Sequence, residues 1–430
     1  MILSTVCRNP VSRRWVSSLV CLAALVASIA LPLATECRAD GLLAITGATI
    51  ETATDDGTIE NGVILIRDGK IDQVGTDVSI PGSAAVIRAD GKTVMPGIVD
   101  PYYVVTVPSS SSGAAPRTIV FRGRTFVIGG TPAANDTSFV KVADAFQAAR
   151  WNWRPAVRNG ITTTHLVTRG FGQSCLAGPR LEAEQVTLDD KAPRTFIAVS
   201  NEPKSLKVLR SGLKKPSSSS SAKAPSSSSS SRSPSPKPTA TTPPIWEEVR
   251  SGKLPLVVNA NNAAAVLYVS QEMKKDENKD VKVALIVSGA DALLTLEDLP
   301  ADRVTLVLAP RLESEPTTRR LVNVAKEADE LGIAVAFSLS SNQTNFRSSQ
   351  DIPLFAVAQL VHLGFDRDAA IRALTRTPAE LLGMEESFGT IEEGRQADLL
   401  IFDGDPLSAT GRIERVLSGG DTIYETSLSE

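Results

Sequence analysis

Histidine and cysteine are nearly missing from this chain. Its 430 residues include only His165 and His362, together with four cysteines. A zinc-type centre draws three or four ligands from imidazole, thiolate and carboxylate groups, so a cage built mainly of imidazoles and thiolates is excluded by count. An oxygen-only site for magnesium or calcium stays open, because Asp and Glu total 48, but no clustered loop motif announces one. Three of the cysteines, Cys7, Cys21 and Cys37, fall in the first 39 residues. Without that segment only Cys175 remains, and no intramolecular disulfide can form in any compartment. There is also no excess of basic charge, since 45 Lys and Arg face 48 Asp and Glu. Phosphate binding needs a concentrated basic surface, so nucleic acid is set aside as a partner. Stability must therefore come from core packing, for which 42% hydrophobic residues and this length suffice, as one large domain with a smaller one.

Residues 1–39 read as an export signal. Arg8, Arg13 and Arg14 make a basic start, 15–34 is uncharged and mostly apolar, and Cys37-Arg38-Ala39 offers a cleavage site after Ala39. Ser12-Arg13-Arg14 has a twin-arginine flavour. A periplasmic or secreted protein is the expectation; an uncleaved anchor over 15–34 is the alternative, since about 20 apolar residues can span a bilayer. Loss of the segment moves the formal charge from -3 to about -6.

From residue 40 to 97 the pattern is of short strands and turns. Leu43 to Thr46 and Gly62 to Ile66 alternate like strands, and Arg67-Asp68-Gly69-Lys70 is a hairpin turn, because Asp-Gly supplies positive backbone angles. Between 98 and 384 strands alternate with helical stretches, the arrangement of a parallel α/β sheet or barrel. Seven strands are clear: the opening one near Thr93 to Val105, then Ile161 to Val167, Thr195 to Ser200, Leu256 to Ala260, Val283 to Ser288, Val304 to Ala309 and Ile333 to Leu339. Helical spacing covers Ala263 to Met273, Thr317 to Leu331, Pro353 to Leu363, and Ala369 to Leu382 with a break set by Pro378. Residues 214–244 are nearly all Ser, Pro, Thr and Ala with five basic residues and no acid, a composition that cannot bury a core, so a disordered insertion is expected. It is either a neutral loop expansion or a basic tether to the cell envelope.

Two stretches carry a family resemblance. Thr93-Val94-Met95-Pro96-Gly97-Ile98-Val99-Asp100-Pro101-Tyr102-Tyr103-Val104 is similar to the opening barrel strand of the metal-dependent amidohydrolase superfamily, in which two histidines follow that aspartate. Gly389 to Asp403, "GTIEEGRQADLLIFD", resembles the same family's closing motif. The resemblance, nearest to imidazolonepropionase-like members, implies a TIM-like, possibly distorted, β/α barrel over 98–384. It also implies a small β-sandwich made from 40–97 and 385–430. It implies hydrolysis of carbon-nitrogen bonds with zinc or another divalent metal.

Position by position, the ligands that the resemblance calls for are replaced. Tyr102 and Val104 stand at the two histidines of the first strand, Asn259 and Ser288 at those of the fifth and sixth, and Ser340 at the aspartate of the last. The expectation is a binding protein with no metal. It would take a small molecule at the barrel mouth, or a partner subunit in a homo- or hetero-oligomer. The alternative is a working hydrolase with an atypical metal site or none, for which Asp100, His165 and Glu202 are the candidate catalytic residues. His165 approaches a strand end, whereas His362 sits in an apolar helix where a packed or partly exposed structural role is the simpler one. Gly129-Gly130 and Gly170-Phe171-Gly172 are weak glycine signals without a phosphate-loop lysine. Trp151 and Trp153 read as helix packing, although exposed indoles would make a ring-binding surface.

Overall fold

The computed structural model describes residues 41–105, 117–121, 124–128, 139–146, 153–168, 171–179, 186–199, 203–214, 245–315, 317–339 and 353–426. Residues 1–39, Glu202, Ser340 and the 214–244 insertion beyond Lys214 lie outside these, as does Trp151. The chain opens with β1 (Leu42–Glu51), β2 (Thr58–Arg67), β3 (Lys70–Gly75), β4 (Ala85–Arg88) and β5 (Thr93–Pro96). At the β2 to β3 turn, Asp68 and Gly69 take φ of 51° and 81°, the mirror-image turn whose twist matches flanking strands.

The middle of the chain supplies β6 (Ile98–Val104), the hairpin β7 (Arg117–Phe121) and β8 (Arg124–Ile128), β9 (Phe139–Lys141), α1 (Val142–Ala145) and α2 (Arg154–Arg158). Next come β10 (Ile161–Val167), β11 (Phe171–Pro179), β12 (Val186–Val199), α3 (Pro203–Leu213), α4 (Ile245–Arg250), β13 (Leu256–Ala260) and α5 (Ala263–Met273). Then follow β14 (Val283–Ile286), α6 (Gly289–Leu293), β15 (Val304–Leu308), the small hairpin β16 (Glu313–Ser314) and β17 (Leu321–Val322), α7 (Val324–Glu330) and β18 (Val335–Phe337). The chain ends through α8 (Pro353–His362), α9 (Arg367–Leu374), α10 (Arg376–Leu381), β19 (Leu399–Asp403), β20 (Arg412–Ser418) and β21 (Asp421–Glu425).

Two sheets organise these elements. An eight-stranded sheet in the order β21-β20-β19-β5-β1-β2-β3, with β4 also on β1, joins the N-terminal strands to the C-terminal ones through the antiparallel β5–β19 ladder. A nine-stranded sheet runs β18-β15-β14-β13-β12-β11-β10-β6, with β9 on β11. Six of its ladders are parallel, but β10–β11 and β11–β12 are antiparallel. That corrects the expectation of an uninterrupted strand-helix alternation. Of the weak glycine signal at 170–172, Phe171 and Gly172 belong to strand β11 and Gly170 lies outside the described residues. Gly172 is there because any side chain would strike the Val140 carbonyl of β9.

Side chains alternate across this sheet. Val258, Leu285, Leu306 and Phe337 pack outward with Val269, Ala328, Leu360 and Leu374 of the helices, while Val257, Ala284, Val307 and Ala336 face a second, inner cluster. Each such Val or Leu contributes about 1.5–3 kcal/mol on burial, so strands without helical propensity are held by what covers them on both faces. Two helices differ from the sequence expectation. The one expected over Thr317 to Leu331 begins only at Val324, because Asn323 caps it by accepting from Lys326 N at 3.3 Å. The one expected over Ala369 to Leu382 is two helices, broken at Thr375 (φ -129°, ψ -77°), and Pro378 sits in the first turn of the second, where its missing N–H costs nothing.

Candidate functional site

The inner cluster is where the sequence places its site, and the strands explain which residues meet there. Tyr102, Leu166, Val257, Ile286 and Ala336, one from each of five strands, share this cluster. Asn259 lies two residues beyond Val257 within β13, so strand periodicity puts it on the same face, one step nearer the C-terminal end. Ser338 follows β18 directly, and Ser288 lies past the end of β14.

β6 carries an irregularity that the sequence reading missed. Thr164 pairs with Asp100 and Leu166 with Tyr103, so Pro101 and Tyr102 together oppose the single residue His165. This is a β-bulge, the device by which a strand re-aims a side chain, and Pro101 was its available signal, since proline inside a strand marks an edge or a bulge. Asp100 is fully buried, and its Oδ1 accepts from Tyr102 N at 3.1 Å, holding the bulge in shape. Tyr102, turned into the interior, is 9% exposed, and its phenolic oxygen accepts from Asn259 Nδ2 at 2.6 Å. Ser338 Oγ, just past β18, donates to the Tyr102 carbonyl at 3.0 Å and ties the two ends of the sheet path together.

His165 is fully buried on β10. Its Nδ1 lies 2.8 Å from the Pro101 carbonyl and its Nε2 2.6 Å from Ser174 Oγ. A carbonyl can only accept, so Nδ1 carries the hydrogen, and in the neutral ring Nε2 receives the serine hydroxyl. This is the bonding order of a nucleophile and its base, but Ser174 is 1% exposed and His165 fully buried. The pair clamps the bulge to β10 and β11.

The remaining sequence candidates part company. Val104 is half-buried and offers no donor atom. Ser288 is exposed and caps α6, accepting from Asp291 N at 3.2 Å while its hydroxyl donates to Asp291 Oδ2 at 2.6 Å. Glu202 and Ser340 lie outside the described residues. His362 is exposed on the last turn of α8. Among the described residues the donor set is a phenol bonded to an amide, a valine, and a hydroxyl committed to a helix cap, which does not fit a divalent transition metal. Both nitrogens of His165 are engaged elsewhere. Among the described residues no group of three His, Cys, Asp or Glu stands together as a metal cage.

Comparison with known proteins agrees with this architecture. A model of the Amidohydrolase family matches residues 360–424. The chain is 25% identical over 376 residues to the imidazolonepropionase of Geobacillus sp. (strain WCH70), covering 80% of this chain and 84% of that protein. It is 22% identical over 413 residues to the imidazolonepropionase of Shouchella clausii (strain KSM-K16), covering 87% and 88%. Its fold is similar to that of an amidohydrolase from Thermotoga maritima MSB8, with TM-score 0.65 and 18% identity over 89% of this chain and all of that one.

Proposed function

With a place in the amidohydrolase superfamily supported by fold and relatives, we propose that this protein is a binding member that has given up metal-dependent hydrolysis. The observation that carries the reading is the Asn259 to Tyr102 hydrogen bond. Two positions where the sequence resemblance calls for metal ligands instead satisfy one another, through a neutral amide and a neutral phenol. A fold does not carry its relatives' chemistry with it, and the site must supply that separately. The inner face supports a ligand held by apolar contact and a few neutral hydrogen bonds, or a partner subunit seated at the same end. Export, and contact of residues 214–244 with the envelope, belong to the same proposal; the N-terminal sequence of the purified protein and the location of a 214–244 deletion variant test them. The principal test is elemental analysis of purified protein together with an amide, imide and cyclic-amide hydrolysis panel. Stoichiometric zinc, iron or manganese, or turnover in the panel, sinks the proposal.

A second reading is favoured by the curated relatives, both named imidazolonepropionase. On it the chain hydrolyses a carbon-nitrogen bond of a cyclic amide, with Asp100, His165 and Glu202 as the groups to examine. Asp100 is within the fold a hydrogen-bond acceptor for Tyr102 N, so Asp100→Asn separates the two readings only when paired with a melting curve. Loss of turnover at unchanged stability would favour the hydrolase.

A further inference from the structure

A cleft of about 360 Å³ lies between α2 and β21, outside the inner cluster. Arg154, Val157 and Arg158 recur at helical spacing, so one face of α2 forms a wall of the cleft. Opposite them stand Ile423, Tyr424 and Glu425, and the Trp153 indole precedes the helix. Val157 is 2% exposed and anchors the helix, while Trp153, Ile423 and Tyr424 are half-buried, and both arginines are exposed. The cleft thus has aromatic walls, an apolar floor and two guanidinium groups one helical turn apart.

The charge balance decides what fits. Like charges four residues apart on a helix repel, and the carboxylates nearby are already committed. Glu425 Oε1 is 2.6 Å from Arg415 Nη2, and Glu414 is paired with Lys92 and Arg415. Arg158 has no carboxylate partner among the described residues. Guanidinium groups bind carboxylates through paired, coplanar hydrogen bonds and stack on aromatic faces. The volume falls within the range of small-molecule sites, and it suits one or two fused rings.

We propose that this cleft binds a small planar aromatic carboxylate, with the ring against Trp153 and Tyr424 and the carboxylate on Arg158. The assignment does not depend on the reading given to Tyr102 and Asn259. Isothermal titration of the full-length protein with naphthalene-2-carboxylate, and with naphthalene-2-carboxamide as the uncharged counterpart, tests it. Saturable binding of the acid with at least tenfold weaker binding of the amide is expected. Arg158→Gln and Tyr424→Ala should each weaken the acid about tenfold, and Arg158→Lys, which keeps the charge but loses the fork, should fall between. Melting curves of the variants, matched to the parent protein, show that the loss is local. Equal binding of acid and amide, no saturable binding, or an Arg158→Gln variant that binds as the parent does would each overturn the proposal.

Discussion

Tyr102 and Asn259 stand 157 positions apart in sequence and meet at 2.6 Å, phenol oxygen to amide nitrogen, on the inner face of the large sheet. The β6 bulge turns Tyr102 inward, and the β13 alternation brings Asn259 to the same face. The contact joins two neutral groups, and it has energetic consequences.

Tyr102→Phe should cost about 1 kcal/mol, the net worth of a hydrogen bond plus the amide left unpaired. Asn259→Leu in the same background should cost little more, because no partner then remains to be orphaned. Urea unfolding of the four proteins in a double-mutant cycle checks this. A coupling energy below about 0.3 kcal/mol would mean that the contact is not made in solution.

The His165 clamp is a stability element. Ser174→Ala leaves a buried ring nitrogen without its donor and should destabilise by about 1–3 kcal/mol. Whatever turnover a hydrolysis panel detects should be unaffected once the protein is folded. If Ser174→Ala removed turnover while the unfolding midpoint stayed put, the buried pair would have to be reread as a working nucleophile.

The segment from 215 to 244 leaves from α3 and returns at α4, and those two helices are fastened to each other. Arg250 Nη1 donates to the Gly212 carbonyl at 2.6 Å, and Trp246, 2% exposed, lies so close over Gly212 that a methyl group there would strike its ring. Replacing 215–244 with a short Gly-Ser link should therefore leave the melting temperature within about 2 °C, since closure cost grows slowly with length. Gly212→Ala should instead destabilise by about 1–3 kcal/mol through overpacking. Calorimetry of both variants reads the difference directly.

Asp329, exposed at the end of α7, has its carboxyl held above the ordinary range first by partial desolvation and then by the neighbouring charge of Asp366; Arg372 opposes this and Glu330 adds a smaller push. A raised folded-state value means that the charged form is the disfavoured one in the fold. The sign follows: its contribution to stability is full below the ordinary carboxylate range and is lost as pH rises through the raised value. Asp329→Asn should raise the melting temperature at pH 7, and the gain should vanish in acid. A gain that persisted unchanged at low pH would assign it to packing instead.

Much of the architecture was legible because strands and helices advertise themselves by period. Ile161 to Val167, Leu256 to Ala260 and Ala263 to Met273 have in the structure the bounds that alternation and helical spacing suggest. Gly172 was not legible, since a glycine chosen for close approach to Val140 looks in one dimension like any flexible residue. The break at Thr375, three residues ahead of Pro378, was misplaced for a similar reason: proline shows that a helix must stop, but a first turn tolerates it as well as a terminus does.

For the site, composition alone established the scarcity of imidazole and thiol, and no arrangement of the chain can supply ligands that it does not contain. Period two along β13 puts Asn259 on the same face of its strand as Val257. Which of these residues touch was decided only by the tertiary structure. A hydrogen bond depends on positions good to a fraction of an ångström, and the β6 bulge and the curvature of the sheet set those positions through pairings between strands far apart in sequence.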